Sequence, residues 1–385
     1  MRETLDARFI TQALRLARRG RGLTSPNPMV GALLVKNGKV IGSGWHHRSG
    51  MPHAEIEAIK EARRNGHRVQ GSTLYVTLEP CSTHGRTPPC TDAIRESGIK
   101  RVVIGATDPN PKHSGRACKI LASAGIAVDL LADAPSPAHR PSKLQLLGKE
   151  CESLNESFNH WIVHRTPFVT VKAAMTLDGK IATADGRSKW ITGEEARAQG
   201  MKLRQANDAI LVGIETVLMD DPSLTVRTGI RKPIRRFILD TRARIPAGAK
   251  VLNDEYAALT TVVVGKSAPK NRVAELAKRV NLWNAPETRA GGRRQVNLRW
   301  LLRKMGGENV TSLLVEGGGE VNASFLLARL ANRAVFFYAQ KILGGRDSRK
   351  AVAGEGAKSL RDVLQLRDLL WRKIGADLMI TARVD

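Results

Sequence analysis

The chain has 385 residues, 42% hydrophobic and 25% charged, enough for two or three domains that each bury a core. Lys and Arg number 62 against 36 Asp and Glu, a formal net charge of +26, which draws anions such as nucleic acid, phosphorylated metabolites or an acidic membrane surface. Aromatic residues, at 4%, are few for a platform that stacks single strands; no apolar run approaches the length of a helical membrane span; and four cysteines make no disulfide framework.

In chain order, the first 22 residues read as an amphipathic helix, charged throughout and without the apolar core of a secretory signal, which points to the cytoplasm. GALLVKNGKVIGSGWH predicts a hairpin turning at Asn37-Gly38. HAEIEAIKEARRNG is helical and stops at Gly66; STLYVTLEP is a strand, TDAIRESG a helix, RVVIGATDP a strand, GRACKILASAG a helix and IAVDLLA a strand. The stretch DAPSPAHRPSKLQ, with three prolines and no period, reads as linker over about 133–165, although GKECESLNESFNHWI within it is helix-like. From Pro167 the alternation resumes, with FVTVKAAMTLDGKIA, AILVG, RRFILDT, TTVVVG, TSLLVEGG and AVFFYAQKIL as strands and EEARAQGMKLRQA and NASFLLARLAN as helices. Such alternation predicts layered α/β architecture in both halves, with domains at 1–150 and 166–385. Between about residues 245 and 310 no motif stands out.

The sharpest chemical signal is His53-Ala54-Glu55, followed by Pro80-Cys81 after a strand and Cys90 opening the next helix. A catalytic zinc takes three protein ligands and keeps a position for water, whose proton it makes easy to lose. His53, Cys81 and Cys90 supply the donors, and Glu55, not needed as a ligand, carries the proton from water to a leaving amine. Nucleobase deaminases use this set with the two cysteines close together, whereas here eight residues separate them. The competing reading, a surface histidine and two buried thiols, does not account for the Pro-Cys pair and the strand–helix placement together.

That longer loop carries a resemblance. EPCSTHGRTPPC resembles the E-P-C-S-H-x-G-[KR]-T-P-P-C segment of the bifunctional deaminase–reductase family of riboflavin biosynthesis, and PNPMVG, GWHHRSGMPHAE and DPNP resemble further stretches of the same family. The resemblance implies a cytidine-deaminase-like first domain in which Asn27 and His46 hold the pyrimidine and Arg86 and Thr87 line its pocket. Read without it, Asn27 is a turn residue and Arg86 a solvated charge. Two positions depart from the family: Thr83 stands where it has His, with His84 beside it, and Ala117 stands where it has Gly.

The second half lacks G-x-G-x-x-G, so the common dinucleotide fingerprint is missing. It has instead a strand, Gly317-Gly318-Gly319 and a helix, a junction that lets backbone approach a phosphate. VKAAMTLDGKIA, SKWITG, TVLMDDPSLTVR, RRFILDT and VEGGG follow the order of the family's reductase domain, whose fold is like dihydrofolate reductase. The resemblance implies that Ala174, Trp190, Thr216, Asp220, Thr241, Gly318 and Gly319 contact NADPH. It implies that Ser188, Arg204, Leu224, Arg227 and Glu316 contact substrate, the arginines on its 5′-phosphate, where a planar fork meets oxygens in pairs. Lys172 and Asp220 are the candidates for polarising the opened sugar. Read without the resemblance, Trp190 is a core aromatic and Asp220-Asp221 a turn.

The expected protein is therefore a bifunctional enzyme with zinc and NADPH. It hydrolyses the 2-amino group of 2,5-diamino-6-ribosylamino-4(3H)-pyrimidinone 5′-phosphate and reduces the ribosyl chain to give 5-amino-6-ribitylamino-uracil 5′-phosphate. The expected partner is this small pyrimidine ribosyl phosphate, with neither membrane nor nucleic acid; self-association stays open. The rivals are an RNA or nucleobase deaminase that uses the positive charge as its grip, and a degenerate second domain kept as a scaffold.

Overall fold

The computed structural model describes residues 2–84, 88–111, 113–136, 140–227, 232–290 and 292–384. The chain divides into two units, Met1–Arg165 and Thr166–Asp385. In the first, helix α1 (Arg2–Ala17) buries Ala7, Ile10, Ala13, Leu14 and Ala17, the three- and four-residue spacing of one helical face. Strands β1 (Gly31–Lys36) and β2 (Lys39–Trp45) form the predicted hairpin; Asn37 and Gly38 both take positive φ, 51° and 74°, as a type I′ turn requires. Then follow α2 (Ala54–Arg64), β3 (Thr73–Val76), α3 (Cys90–Glu96), β4 (Arg101–Ile104), α4 (Arg116–Ser123) and β5 (Ala127–Leu130). The five strands make one sheet, β2-β1-β3-β4-β5, in which β1 is antiparallel to β2 and β3 while β3, β4 and β5 are parallel.

Helix α2 lies unusually close to this sheet. A Cβ on Gly44 would sit 2.4 Å from the Ala54 carbonyl oxygen, and one on Gly42 would sit 2.3 Å from that of Ala58. Only glycine admits that approach. It brings the start of α2, with His53 and Glu55, down against the strand ends.

The stretch 133–165, expected as linker, is largely helical: α5 (Lys143–Leu154) and α6 (Glu156–His164). Ser142 caps α5 in a reciprocal box with Gln145. Leu144, Leu147 and Cys151 are buried in one cluster with Ala7, Ile10 and Leu14 of α1. The three preceding prolines hid this apolar face, and α5 belongs to the first unit.

The second unit contains β6 (Phe168–Thr176), β7 (Lys180–Ala182), α7 (Glu194–Ala206), β8 (Ala209–Gly213), α8 (Ile214–Asp220), β9 (Arg235–Leu239), α9 (Lys250–Asn253), β10 (Thr260–Gly265), α10 (Lys270–Ala277), β11 (Asn281–Ala285), β12 (Glu287–Ala290), β13 (Arg293–Val296), α11 (Leu298–Gly307), β14 (Ser312–Val315), α12 (Gly319–Leu326), β15 (Arg333–Ala339), β16 (Arg349–Lys350), β17 (Leu366–Ile374) and β18 (Asp377–Val384). Nine of the strands form a sheet in the order β11-β10-β9-β8-β14-β6-β15-β18-β17. From β11 to β15 all neighbours are parallel; β18 runs antiparallel to β15 and β17. The central strands β8, β10 and β14 are buried along their whole length, as parallel strands covered on both faces are. The run expected as one strand through residue 182 is two, β6 and β7, with a turn at Leu177–Gly179.

Candidate deaminase and reductase sites

In the first unit the three candidate zinc donors converge. His53 is the N-cap residue of α2, and Cys90 is the first residue of α3. His53 Nδ1 lies 3.4 Å from Cys81 Sγ and 3.3 Å from Cys90 Sγ, and the donor atoms all fall within 4.8 Å of one another. The Cys90 backbone N–H donates to Cys81 Sγ at 3.2 Å. A hydrogen bond from the Cys90 side chain, helped by His53 against the effect of burial, brings the Cys81 thiol down to about 4; the same contact, with burial, pushes Cys90 up. The Cys81 hydrogen bond raises His53. Two sulfurs and an imidazole nitrogen at this spacing are the donor chemistry of a zinc site with an open position.

Glu55 is a carboxylate on the buried face of α2, alongside Ala54, Ala58, Ile59 and Ala62. It is 3% exposed, and burial pushes its carboxyl above the usual range. An acid on the apolar face of a helix is costly unless it has chemistry to do.

Asn27 and His46 stand beside the donors. Asn27 Nδ2 lies 3.1 Å from His46 Nε2, and His46 Nδ1 lies 3.2 Å from the Pro52 carbonyl oxygen. With Nδ1 donating to that carbonyl, Nε2 accepts from Asn27. Burial lowers the His46 pKa, which favours this neutral ring. The His46 and His53 rings meet edge to face at 5.2 Å. Arg86 and Thr87 lie outside the described residues. Ala117 is fully buried at the start of α4, so its methyl group fits the core there.

In the second unit the expected cofactor residues gather along one edge of the sheet. Ala174 lies near the carboxyl end of β6, Thr216 follows β8, Thr241 follows β9, and Gly318 and Gly319 follow β14. This is the edge where open α/β sheets bind ligands. Gly319 is crossed by another chain segment: a Cβ there would lie 2.2 Å from the Lys350 carbonyl oxygen, whereas one on Gly318 meets nothing within 4 Å. Trp190 is not a core aromatic. It is 66% exposed, with the Arg197 guanidinium 4.6 Å from its ring centroid. Asp220 ends α8 and accepts from Ser188 Oγ at 3.3 Å.

Glu316 is the hub of the expected substrate residues. Arg204 grips it with Nε at 3.0 Å and Nη2 at 2.8 Å, and donates from Nη1 to the Thr225 carbonyl at 3.1 Å. Against the effect of burial, Arg204 and then Lys172 and Arg227 hold the Glu316 carboxyl down to about 2. Much of the Arg204 fork is thus engaged by protein, while Arg227 is exposed. Leu224 is 3% exposed in a core cluster with Ile214 and Val217.

Residues 3–106 match the cytidine and deoxycytidylate deaminase zinc-binding region, and residues 167–380 match the RibD C-terminal domain. The chain belongs to the RibD family. The riboflavin biosynthesis protein RibD of Aquifex aeolicus (strain VF5) is 41% identical over 98% of this chain and 98% of its own length. That of Escherichia coli (strain K12) is 34% identical over 97% and 98%. Among solved structures, form 2 of Acinetobacter baumannii RibD superposes with a TM-score of 0.83 at 30% identity, covering both chains fully. A Thermotoga maritima diaminohydroxyphosphoribosylaminopyrimidine deaminase/5-amino-6-(5-phosphoribosylamino)uracil reductase does so with 0.81 at 32%, also over both whole chains. Both units therefore have the fold expected of them, deaminase-like and RibD-reductase-like.

Three supporting residues of this RibD chain escaped the sequence reading. Lys341 Nζ donates to the carbonyls of Trp190 at 3.1 Å and Ile191 at 2.8 Å, holding the loop that carries Trp190. Asn155, in the supposed linker, pairs with both backbone groups of Met29, accepting at 2.7 Å and donating at 2.8 Å. That contact fixes the turn bearing Asn27. Glu79, two residues before Cys81, accepts the backbone N–H groups of Asp108, Gly115 and Ala117 at 3.1, 2.9 and 2.9 Å. One buried carboxylate thus ties the DPNP loop and the start of α4 to the loop that carries Cys81. In the sequence it stood only as the first residue of the EPCSTHGRTPPC segment, with no role of its own. Replacing Glu79 by Ala frees three amides, and displacing a pocket wall by an ångström costs up to about 100-fold in rate. Glu79→Ala is expected to lower deaminase kcat/KM by roughly 10- to 100-fold and leave the reductase activity intact; paired assays of the two half-reactions check it.

Proposed function

We propose that this chain is a bifunctional enzyme of riboflavin biosynthesis, a zinc-dependent deaminase joined to an NADPH-dependent reductase. Its substrate is 2,5-diamino-6-ribosylamino-4(3H)-pyrimidinone 5′-phosphate, and its final product is 5-amino-6-ribitylamino-uracil 5′-phosphate. The observation that carries this is the His53–Cys81–Cys90 donor set with Glu55 buried beside it, in one chain with the Glu316 cluster.

A zinc ion would be held by His53, Cys81 and Cys90 and would supply the activation of water. Glu55 would take a proton from water as it adds to the ring carbon and return it to the amine, which leaves as ammonia. His46 and Asn27 lock each other, so the Asn27 side-chain oxygen stays oriented to accept from a pyrimidine N–H. In the second unit, residues at the carboxyl ends of β6, β8, β9 and β14 would hold NADPH, which would supply the hydride. The open space at Gly318 would admit a phosphate. Lys172, with Asp220, polarises the opened sugar and delivers a proton to its oxygen. Arg227 binds the 5′-phosphate, steadied by Glu316, which stays ionised at neutral pH.

Incubation with the diaminopyrimidine phosphate, followed by mass analysis, tests the reading. Without NADPH the product gains an oxo group in place of an amino group; with NADPH it also gains two hydrogens. Reduction without deamination, or no NADPH requirement, contradicts it. The charge excess offers a rival partner, and Arg227→Ala separates the two. A charged hydrogen-bonded contact is worth about 1.5–3 kcal/mol, so KM of the reductase half-reaction is expected to rise roughly 10- to 150-fold. RNA affinity of the same variant stays weak and falls steeply with salt. Tight RNA binding at physiological salt with unaltered reductase kinetics would move the RNA-deaminase reading to first place.

A further inference from the structure

The loop between α8 and β9 is gripped on both sides of a single residue. Leu224 has a left-handed φ of 51° although it carries a Cβ. Such a backbone persists only where its surroundings hold it. The carbonyl before it, Ser223, accepts from Arg236 Nη1 at 2.9 Å, and the carbonyl after it, Thr225, accepts from Arg204 Nη1 at 3.1 Å. Each guanidinium is itself fixed by a carboxylate. Arg204 is held by Glu316, and Arg236 by Asp254 at 2.6 and 2.7 Å.

Arg236 sits on β9, away from the edge where the cofactor residues gather, and is 0% exposed. All five of its N–H groups have acceptors: Thr260 Oγ1, the Ser223 and Val251 carbonyls, and both Asp254 oxygens. A charge so completely desolvated adds little stability over a well-packed apolar residue. What an apolar residue at this position lacks is a rigid fork that spans from Asp254 to the Ser223 carbonyl.

We propose that Arg236, locked by Asp254, is a positioning residue for the reductase: it fixes the backbone at Leu224 and so aims Arg227 at the substrate. It touches neither substrate nor cofactor. The proposal rests on the reading that Leu224 and Arg227 meet the substrate, and the test keeps the two apart.

Arg236→Met, Asp254→Asn and Arg227→Ala are made in the full chain. For each, KM and kcat of NADPH-dependent reduction are measured, with NADPH affinity by fluorescence quenching, deamination rate and Tm. Asp254→Asn keeps an oxygen acceptor but leaves the buried Arg236 guanidinium without its countercharge, so the double variant Arg236→Met with Asp254→Asn, which removes both charges, decides the matter if either single variant does not fold. The expected result is a substrate KM raised about tenfold or more in both clamp variants, with NADPH affinity and deamination within about twofold of the parent. A folded Asp254→Asn with lowered Tm and unchanged substrate KM, while Arg227→Ala raises it, overturns the positioning role alone. Equal losses of NADPH and substrate affinity overturn it too, because they report a general collapse of the unit. If Arg227→Ala leaves KM unchanged, the reading of this loop as a substrate contact fails and takes the proposal with it.

Discussion

Glu55→Gln is expected to lower deamination by roughly 10²- to 10⁴-fold, the usual contribution of a positioned proton carrier. Glutamine fills nearly the same volume and keeps a carbonyl acceptor but cannot shuttle a proton. Zinc should stay, since Glu55 is not among the three converging donors. Reduction of deaminated substrate should persist, because Lys172, Arg204 and Glu316 lie in the other unit. In the metal-free protein the variant should also be no less stable at pH 7. Burial raises the Glu55 pKa on folding, so the folded state favours its protonated form, and stability is lost between the unfolded and the raised folded value. An amide avoids that loss, so any Tm gain over the metal-free parent should develop across that window and level off above it. Ammonia release, metal analysis and thermal melts at several pH values test all of this; deamination near the parental rate in Glu55→Gln assigns the proton to another group.

Cys81→Ala is expected to drop zinc from one per chain to well below stoichiometric and to abolish deamination with it. Three donors would hold the ion, and two would leave it to exchange with solvent. Binding requires both thiols and the imidazole to shed protons, so zinc occupancy of the parent protein should fall as pH is lowered. Cys118→Ala is the control, since its half-exposed thiol lies outside the donor set and burial pushes it up to about 11. Metal analysis after dialysis decides: full zinc in Cys81→Ala removes it from the ligand set, and zinc lost equally from Cys118→Ala points to a general instability.

The convergence of His53, Cys81 and Cys90 was legible because it is written in side-chain types at short range. His53 and Glu55 are two positions apart, and Cys81 and Cys90 lie in one loop. The hairpin at Asn37-Gly38 was legible for a similar local reason, two residues that tolerate positive φ. The strands β17 and β18 were not foreseen. Every residue of β17 from Leu366 to Lys373 is exposed, so neither face carries the alternation that marks a half-buried strand. The first half of α5 was read as linker because of the prolines before it, although the stretch from Gly148 was helix-like, and its burial depends on α1, far away in sequence.

For the proposed reductase residues, the sequence names side chains and the fold decides what they meet. Arg204 and Glu316 stand 112 positions apart and become one ion pair. Leu224 lies buried in the core, and Trp190, whose reading apart from the resemblance was a core aromatic, lies on the surface. Asn155 reaches back 126 positions to steady the turn of Asn27. What a side chain can do chemically is fixed by its own atoms, and the sequence states it directly. What it meets depends on which distant segments the buried core draws together, and that is set by packing over the whole chain.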